Sequence, residues 1–82
     1  MKRSMSNFTR LQKRFGEVVR RRRHALGISQ EELADRSGLH RTYISQIERG
    51  LKSASLKAIV ALAKALGVSA DVLVRDAGRP SA

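Results

Sequence analysis

The chain has no cysteine, no tryptophan and only three aromatic residues, Phe8, Phe15 and Tyr43. Without cysteine there is neither a disulfide nor a thiolate zinc site to staple the fold, and two separated histidines, His24 and His40, do not make a metal site. Two of the three aromatics suit a core, which argues against a single-strand or RNA binder built on base stacking. The longest uninterrupted apolar run, Ala58 to Ala63, is six residues, too short to cross a bilayer. Lys2 and Arg3 are not followed by a secretory apolar stretch. A soluble, cytoplasmic protein with no membrane partner is expected. Also missing are a nucleophile-and-base constellation and a phosphate-cradling glycine loop. In 82 residues there is too little chain to wall off a dry pocket. No enzymatic activity is therefore expected, and no cofactor, metal or small-molecule ligand.

Acidic residues are scarce as well: 17 Lys+Arg face 7 Asp+Glu, for a formal charge of +10. Such a surplus in so small a body favours a polyanionic partner, nucleic acid before membrane surface. An apolar content of 41% argues for a folded domain despite the charge. The surplus is uneven, with net +8 over residues 1–26, zero over 27–54 and +2 over 55–82. Arg20, Arg21, Arg22 and Arg23 are consecutive, and since each helical step turns by about 100° they fan around the axis. At least one must face inward or sideways.

Apolar residues recur at helical spacing between Gly27, Gly38, Gly50, Gly67 and Gly78, which predicts an all-α, compact five-helix fold. Phe8, Leu11, Phe15, Val18, Val19 and Leu26 suit an amphipathic first helix closed by Gly27. Ser29 with Glu32 forms a capping box for a second helix carrying Leu33 and Ala34, which stops before Gly38. The third runs from about Arg41 to Arg49 with Ile44 and Ile47 inward. Ser55 caps a fourth bearing Leu56, Ile59, Leu62, Ala63 and Leu66, and Ser69 a short fifth with Val72, Leu73 and Val74. The expected organisation is a basic flexible tail over 1–6, one helical domain over 7–76 and a second flexible tail over 77–82.

The segment Gln30 to Ile47 carries the sharpest signal. Steeply crossing helices need a small residue such as Ala34, and a tight turn needs a residue tolerant of positive φ such as Gly38. A helix held only by the narrow edge Ile44 and Ile47 keeps its other face free. That face bears Arg41, Thr42, Ser45, Gln46 and Arg49. It is rich in groups that hydrogen-bond base edges and phosphates, and a major groove about 12 Å wide admits such a helix.

Residues 15 to 74 closely resemble the lambdoid-repressor type (XRE/Cro-like) of helix-turn-helix domain. The matching blocks are Gly27-Ile28-Ser29-Gln30-Glu31-Glu32-Leu33-Ala34 and Gly38 to Gly50. The Arg41-Thr42-Tyr43-Ile44-Ser45 wording is most similar to the controller proteins of restriction-modification systems and related orphan regulators. The resemblance implies a five-helix domain that binds a pseudo-palindromic operator as a homodimer, with RNA polymerase a candidate partner. It places Arg41 and Thr42 at leading base-contact positions, with Ser45 and Gln46 one turn on. Chemically, Arg41 suits guanine, Gln46 adenine and Thr42 a thymine methyl. Gln30, at the start of the second helix, matches a glutamine that grips a phosphate, and Tyr43, Arg49, Arg20 and His40 are further phosphate candidates. Arg23 and Glu48 match a pair that forms an internal salt bridge. The pattern departs from the family at His40, where a small cap is common, at Ala54, where proline often stands, and in lacking an acidic activation patch.

One recognition helix spans only about 4 base pairs, so two protomers about 34 Å apart are the usual remedy. Ala70, Val72 and Val74 on the fifth helix are candidates for the dimer contact, against closure of the monomer core. The alternative to a sequence-specific transcription regulator is an interaction module, such as one that neutralises a toxin, with a nonspecific nucleoid coat third. The ratio of specific to nonspecific affinity at fixed salt separates them.

Overall fold

The computed structural model describes the backbone of residues 2–79 and the side chains of residues 8–79. Within these, five helices follow one another: α1 (Lys2–Ala25), α2 (Gln30–Ser37), α3 (Arg41–Glu48), α4 (Leu56–Leu66) and α5 (Ala70–Gly78). The backbone of 2–6, expected as a tail, belongs to α1. Of the other expected tail, 80–82 lie outside the described residues, while Ala77 is fully buried in α5 and part of the domain.

The helix ends follow local chemistry. The Ser29 hydroxyl accepts the Glu32 amide at 3.0 Å and the Ser55 hydroxyl accepts the Ala58 amide at 3.1 Å, each satisfying an otherwise orphaned donor. Only half of the expected capping box forms, because the Glu32 carboxylate turns to Arg36 one turn on, at 3.1 Å. Ser69 occupies the N-cap of α5 without a side-chain cap bond. Gly38 takes φ +76° and donates its amide to the Ala34 carbonyl at 2.8 Å, so α2 stops and the chain reverses into α3 within two residues.

Leu33, Ile44, Ile47, Leu62, Leu73 and Val19, contributed by all five helices, are fully buried. Each contributes about 1.5–3 kcal/mol by leaving water. Gly16 permits the crossing of α1 over the end of α3: a Cβ there would collide with the carbonyl oxygens of Ile47 and Glu48. The Gln12 amide, donating to the Gly50 carbonyl at 3.0 Å, fastens the same crossing one turn earlier.

Several residues assigned to apolar faces are exposed instead. Leu56 is 78% exposed, because the buried stripe of α4 follows Ala58, Leu62, Ala63 and Leu66 and position 56, at the first turn, points about 95° away from the centre of that stripe. Leu26 lies past the end of α1 and is also exposed. Phe8 and Leu11 share the face of Phe15, but there α1 has passed the filled core. They are 60% and 42% exposed and border an apolar groove with Phe15, Ile59, Val74 and Ala77.

Candidate nucleic-acid interface

The α2–turn–α3 unit separates two faces of α3. Ile44 and Ile47 are wholly inside, and Glu48 is buried beside them. Arg41, Thr42 and Arg49 are exposed, while Ser45 and Gln46 are half-buried at the edge of the same outward surface. Arg49 follows the helix as its C-cap rather than closing its last turn. His40 precedes the helix as an exposed N-cap that makes no side-chain cap bond.

Behind this face lies a continuous polar network. The Arg23 guanidinium forks onto Glu48, with Nε donating to Oε2 at 2.8 Å and Nη2 to Oε1 at 2.9 Å. Its third nitrogen, Nη1, donates to the Ile28 carbonyl at 2.9 Å. Both partners are only 7% exposed, and the hydrogen bond to Glu48 raises the Arg23 pKa above its ordinary value. Such a bidentate pair withstands burial because its donors and acceptors are matched. The Gln30 amide nitrogen donates to Glu48 Oε1 at 3.0 Å, and Arg41 Nη1 donates to the Gln30 oxygen at 3.3 Å. Arg23, Glu48, Gln30 and Arg41 thus form one chain from the interior to the surface.

The arginine run divides by function. Arg20 and Arg21 are exposed, Arg22 pairs with Asp76 of α5 at 2.9 Å and Arg23 is the internal partner. The Arg22 hydrogen bond holds the Asp76 carboxyl below its usual range, helped by the charges of Arg22, Arg79 and Arg75. Tyr43 turns its hydroxyl to the α3–α4 link, accepting the Ser55 amide at 3.1 Å and donating to the Ser53 carbonyl at 3.5 Å. Its polar end therefore supports a loop.

Of the three residues proposed for subunit contact, only Val74 stands substantially in the open, 49% exposed on the rim of the apolar groove. Ala70 packs against the core, and Val72 is half-buried. Leu56 and Val60, one turn apart on α4, are exposed apolar residues that helical periodicity assigned to the core or left unassigned. Gln12 and Gly16 were likewise missed. Among the described residues, no group of three His, Cys, Asp or Glu side chains is placed to hold a metal ion, and no helix is long and apolar enough to cross a membrane.

Residues 19–73 match the helix-turn-helix family. Two HTH-type transcriptional regulators of Mycobacterium tuberculosis are 44% identical over 63 residues, 77% of this chain and 45% of theirs; the chain spans less than half the length of these relatives. The control protein C.SmaI of Serratia marcescens is 45% identical over 62 residues, covering 76% of this chain and 74% of that protein. The crystal structure of the restriction-modification controller protein C.AhdI from Aeromonas hydrophila superposes with a TM-score of 0.74 at 44% identity, covering 76% of this chain and 94% of that one. These are regulators, not enzymes. The chain belongs to the XRE-type helix-turn-helix family of transcriptional regulators and is similar to its restriction-modification controllers.

Proposed function

We propose that this chain binds a specific, pseudo-palindromic double-stranded DNA operator as a homodimer, with α3 in the major groove, and thereby regulates transcription. The observation that carries this reading is the division of α3 between a sealed inner edge and an outer face bearing Arg41, Thr42, Ser45, Gln46 and Arg49. Arg41 can fork onto guanine O6 and N7, Thr42 can touch a thymine methyl, and Gln46 and Ser45 follow one turn along the groove. Gln30 at the first turn of α2, Arg49, His40 and Arg20 supply phosphate contacts, which fix position without reading sequence. Tyr43 assists by holding the link that follows α3. The second protomer docks through the exposed apolar surface around Val74, for which a monomer has no use.

Selection of bound sequences from a random duplex pool tests this. Enrichment of a two-fold repeat with half-sites about one helical turn apart is expected. A pool that returns unenriched, with binding that depends only on salt, overturns the operator reading and leaves a protein-interaction module or a nonspecific coat.

A further inference from the structure

We propose that the start of α1 is an arm that docks on a second copy of this chain: Phe8 of each protomer enters the apolar groove of its partner, and the two α1 starts lie side by side across the two-fold axis. The inference rests on the reading of this chain as a homodimer and adds a contact beyond Val74.

α1 has 24 residues against 8 to 11 in the other helices, and its start runs past what the core can cover. From Phe8 to Arg14 not one residue is buried; burial begins at Phe15. Yet Phe8, Leu11 and Phe15 recur at helical spacing and share one face. Two large apolar side chains therefore stand in the open beside a groove that α4 and α5 complete with Ile59, Val74 and Ala77. A helix end with so much exposed apolar surface gains by being covered. Both residues precede the stretch that matches the helix-turn-helix family, which begins at residue 19, so this contact lies outside the shared domain.

What fills the groove follows from area and charge. A stable interface buries about 800 Å² per partner, slightly more than half of it apolar, and Val74 by itself falls far short. The uncovered parts of Phe8, Leu11 and Val74 together expose roughly 300 Å² of apolar surface, the size at which a patch on a small protein marks a contact site. With Ile59 behind them, they supply the apolar centre about which a polar rim completes a standard interface. The cations of the same helix are turned aside. Arg10, Lys13 and Arg14 point about 130°, 170° and 90° away from the stripe, so the two starts can meet apolar face to apolar face while those charges stay in water. The contact is self-complementary, as a two-fold interface requires: each Phe8 is a plug for the partner and a wall of its own groove.

The absence of cysteine gives a direct test, because a single introduced thiol can pair only with the same position of a second copy. In the full chain, Phe8→Cys and Leu11→Cys are oxidised mildly at micromolar concentration. The control is Leu26→Cys, at an exposed position beyond the other end of α1. At one or both of the α1-start positions the covalent dimer is expected to form about 10-fold faster or more than at position 26, since pairing within a dimer is intramolecular. Equally slow cross-linking at all three positions overturns the arm contact.

Sedimentation of Phe8→Ser and Leu11→Ser supplies a second readout. Both side chains are exposed in the single protomer, so helix content should hold. Each change occurs twice in a symmetric dimer, and a loss of dimer affinity of about 10- to 100-fold is expected. Unchanged affinity in both, with Val74→Asp monomeric, overturns the role of α1 and leaves the groove to another occupant while the homodimer stands. If the unmodified chain sediments as a monomer at every concentration, the homodimer reading itself has failed, and the arm with it.

Discussion

The two ends of this molecule are finished differently. Around α2 and α3 the segment 27–54 is electrically neutral, and its buried polar groups are matched to one another. Among the described residues no buried side-chain nitrogen or oxygen lacks a partner. Around the start of α1 and the faces of α4 and α5, apolar side chains remain open to water: Phe8, Leu11, Leu56, Val60 and Val74. The first end is organised by directional bonds, which hold a surface in one geometry. The second offers nondirectional surface that gains by being covered. On the proposed function, in which the chain reads a base edge and pairs with a second copy of itself, both kinds are needed.

The largest effect is expected where the polar end is opened. Glu48→Ala leaves the Arg23 guanidinium buried and unpaired and should cost about 3–5 kcal/mol, measured by denaturant or thermal unfolding. An unchanged melting temperature would show that the interior does not depend on the pair. Next is Gly16→Ala. An alanine suits a helix better than glycine by up to about 1 kcal/mol, but here its methyl meets the carbonyls of Ile47 and Glu48. Forcing α1 away from α3 should give a net loss of about 1–3 kcal/mol. A stabilised variant would mean that this crossing is loose.

These two residues also mark how far the sequence could be followed. Arg41 begins α3, Gly38 makes the turn, and Ser29 and Ser55 cap their helices because the causes are local: a cap needs only a hydroxyl three residues from its amide. The outward chemistry of α3 was legible for the same reason, since polar side chains on the helical face opposite Ile44 and Ile47 must point away from the core. Gly16 was not legible. Its role depends on carbonyls about thirty positions along the chain, and read alone a glycine suggests a helix end. Periodicity similarly shows that Phe8, Leu11 and Phe15 share a face, but not that the core beneath them stops at Phe15. Nor could residue type show where Arg22 or the Tyr43 hydroxyl would turn, because each bond reaches a distant segment.

At the apolar end, Val74→Asp places a charge on the rim of the groove beside Phe8, Leu11 and Ile59. It is expected to shift the protein to monomer in sedimentation while leaving helix content unchanged. An undiminished dimer would remove Val74 from the subunit contact and leave the Leu56–Val60 stripe of α4 as the surface to test.

The Arg22–Asp76 pair joins the two ends, and its effect is smaller and depends on pH. Asp76 titrates below its unfolded value, so it contributes stability above pH about 4 that is lost as pH falls through the depressed folded value. Asp76→Asn should therefore lower the melting temperature slightly at neutral pH and match the unmodified protein in strong acid. Parallel acid limbs would show that the pair adds nothing.

The smallest effect belongs to the charge that dominates the composition. Arg20 is exposed and unpaired among the described contacts, unlike Arg22 and Arg23 two and three residues on, so its charge is available to phosphate. Arg20→Ala should weaken every duplex alike and reduce the slope of log affinity against log salt by about 1, with the consensus intact. A changed consensus would mean that α1 takes part in reading the sequence. The neutral helix-turn-helix would then share with the basic helix a task that the division of these contacts assigns to it alone.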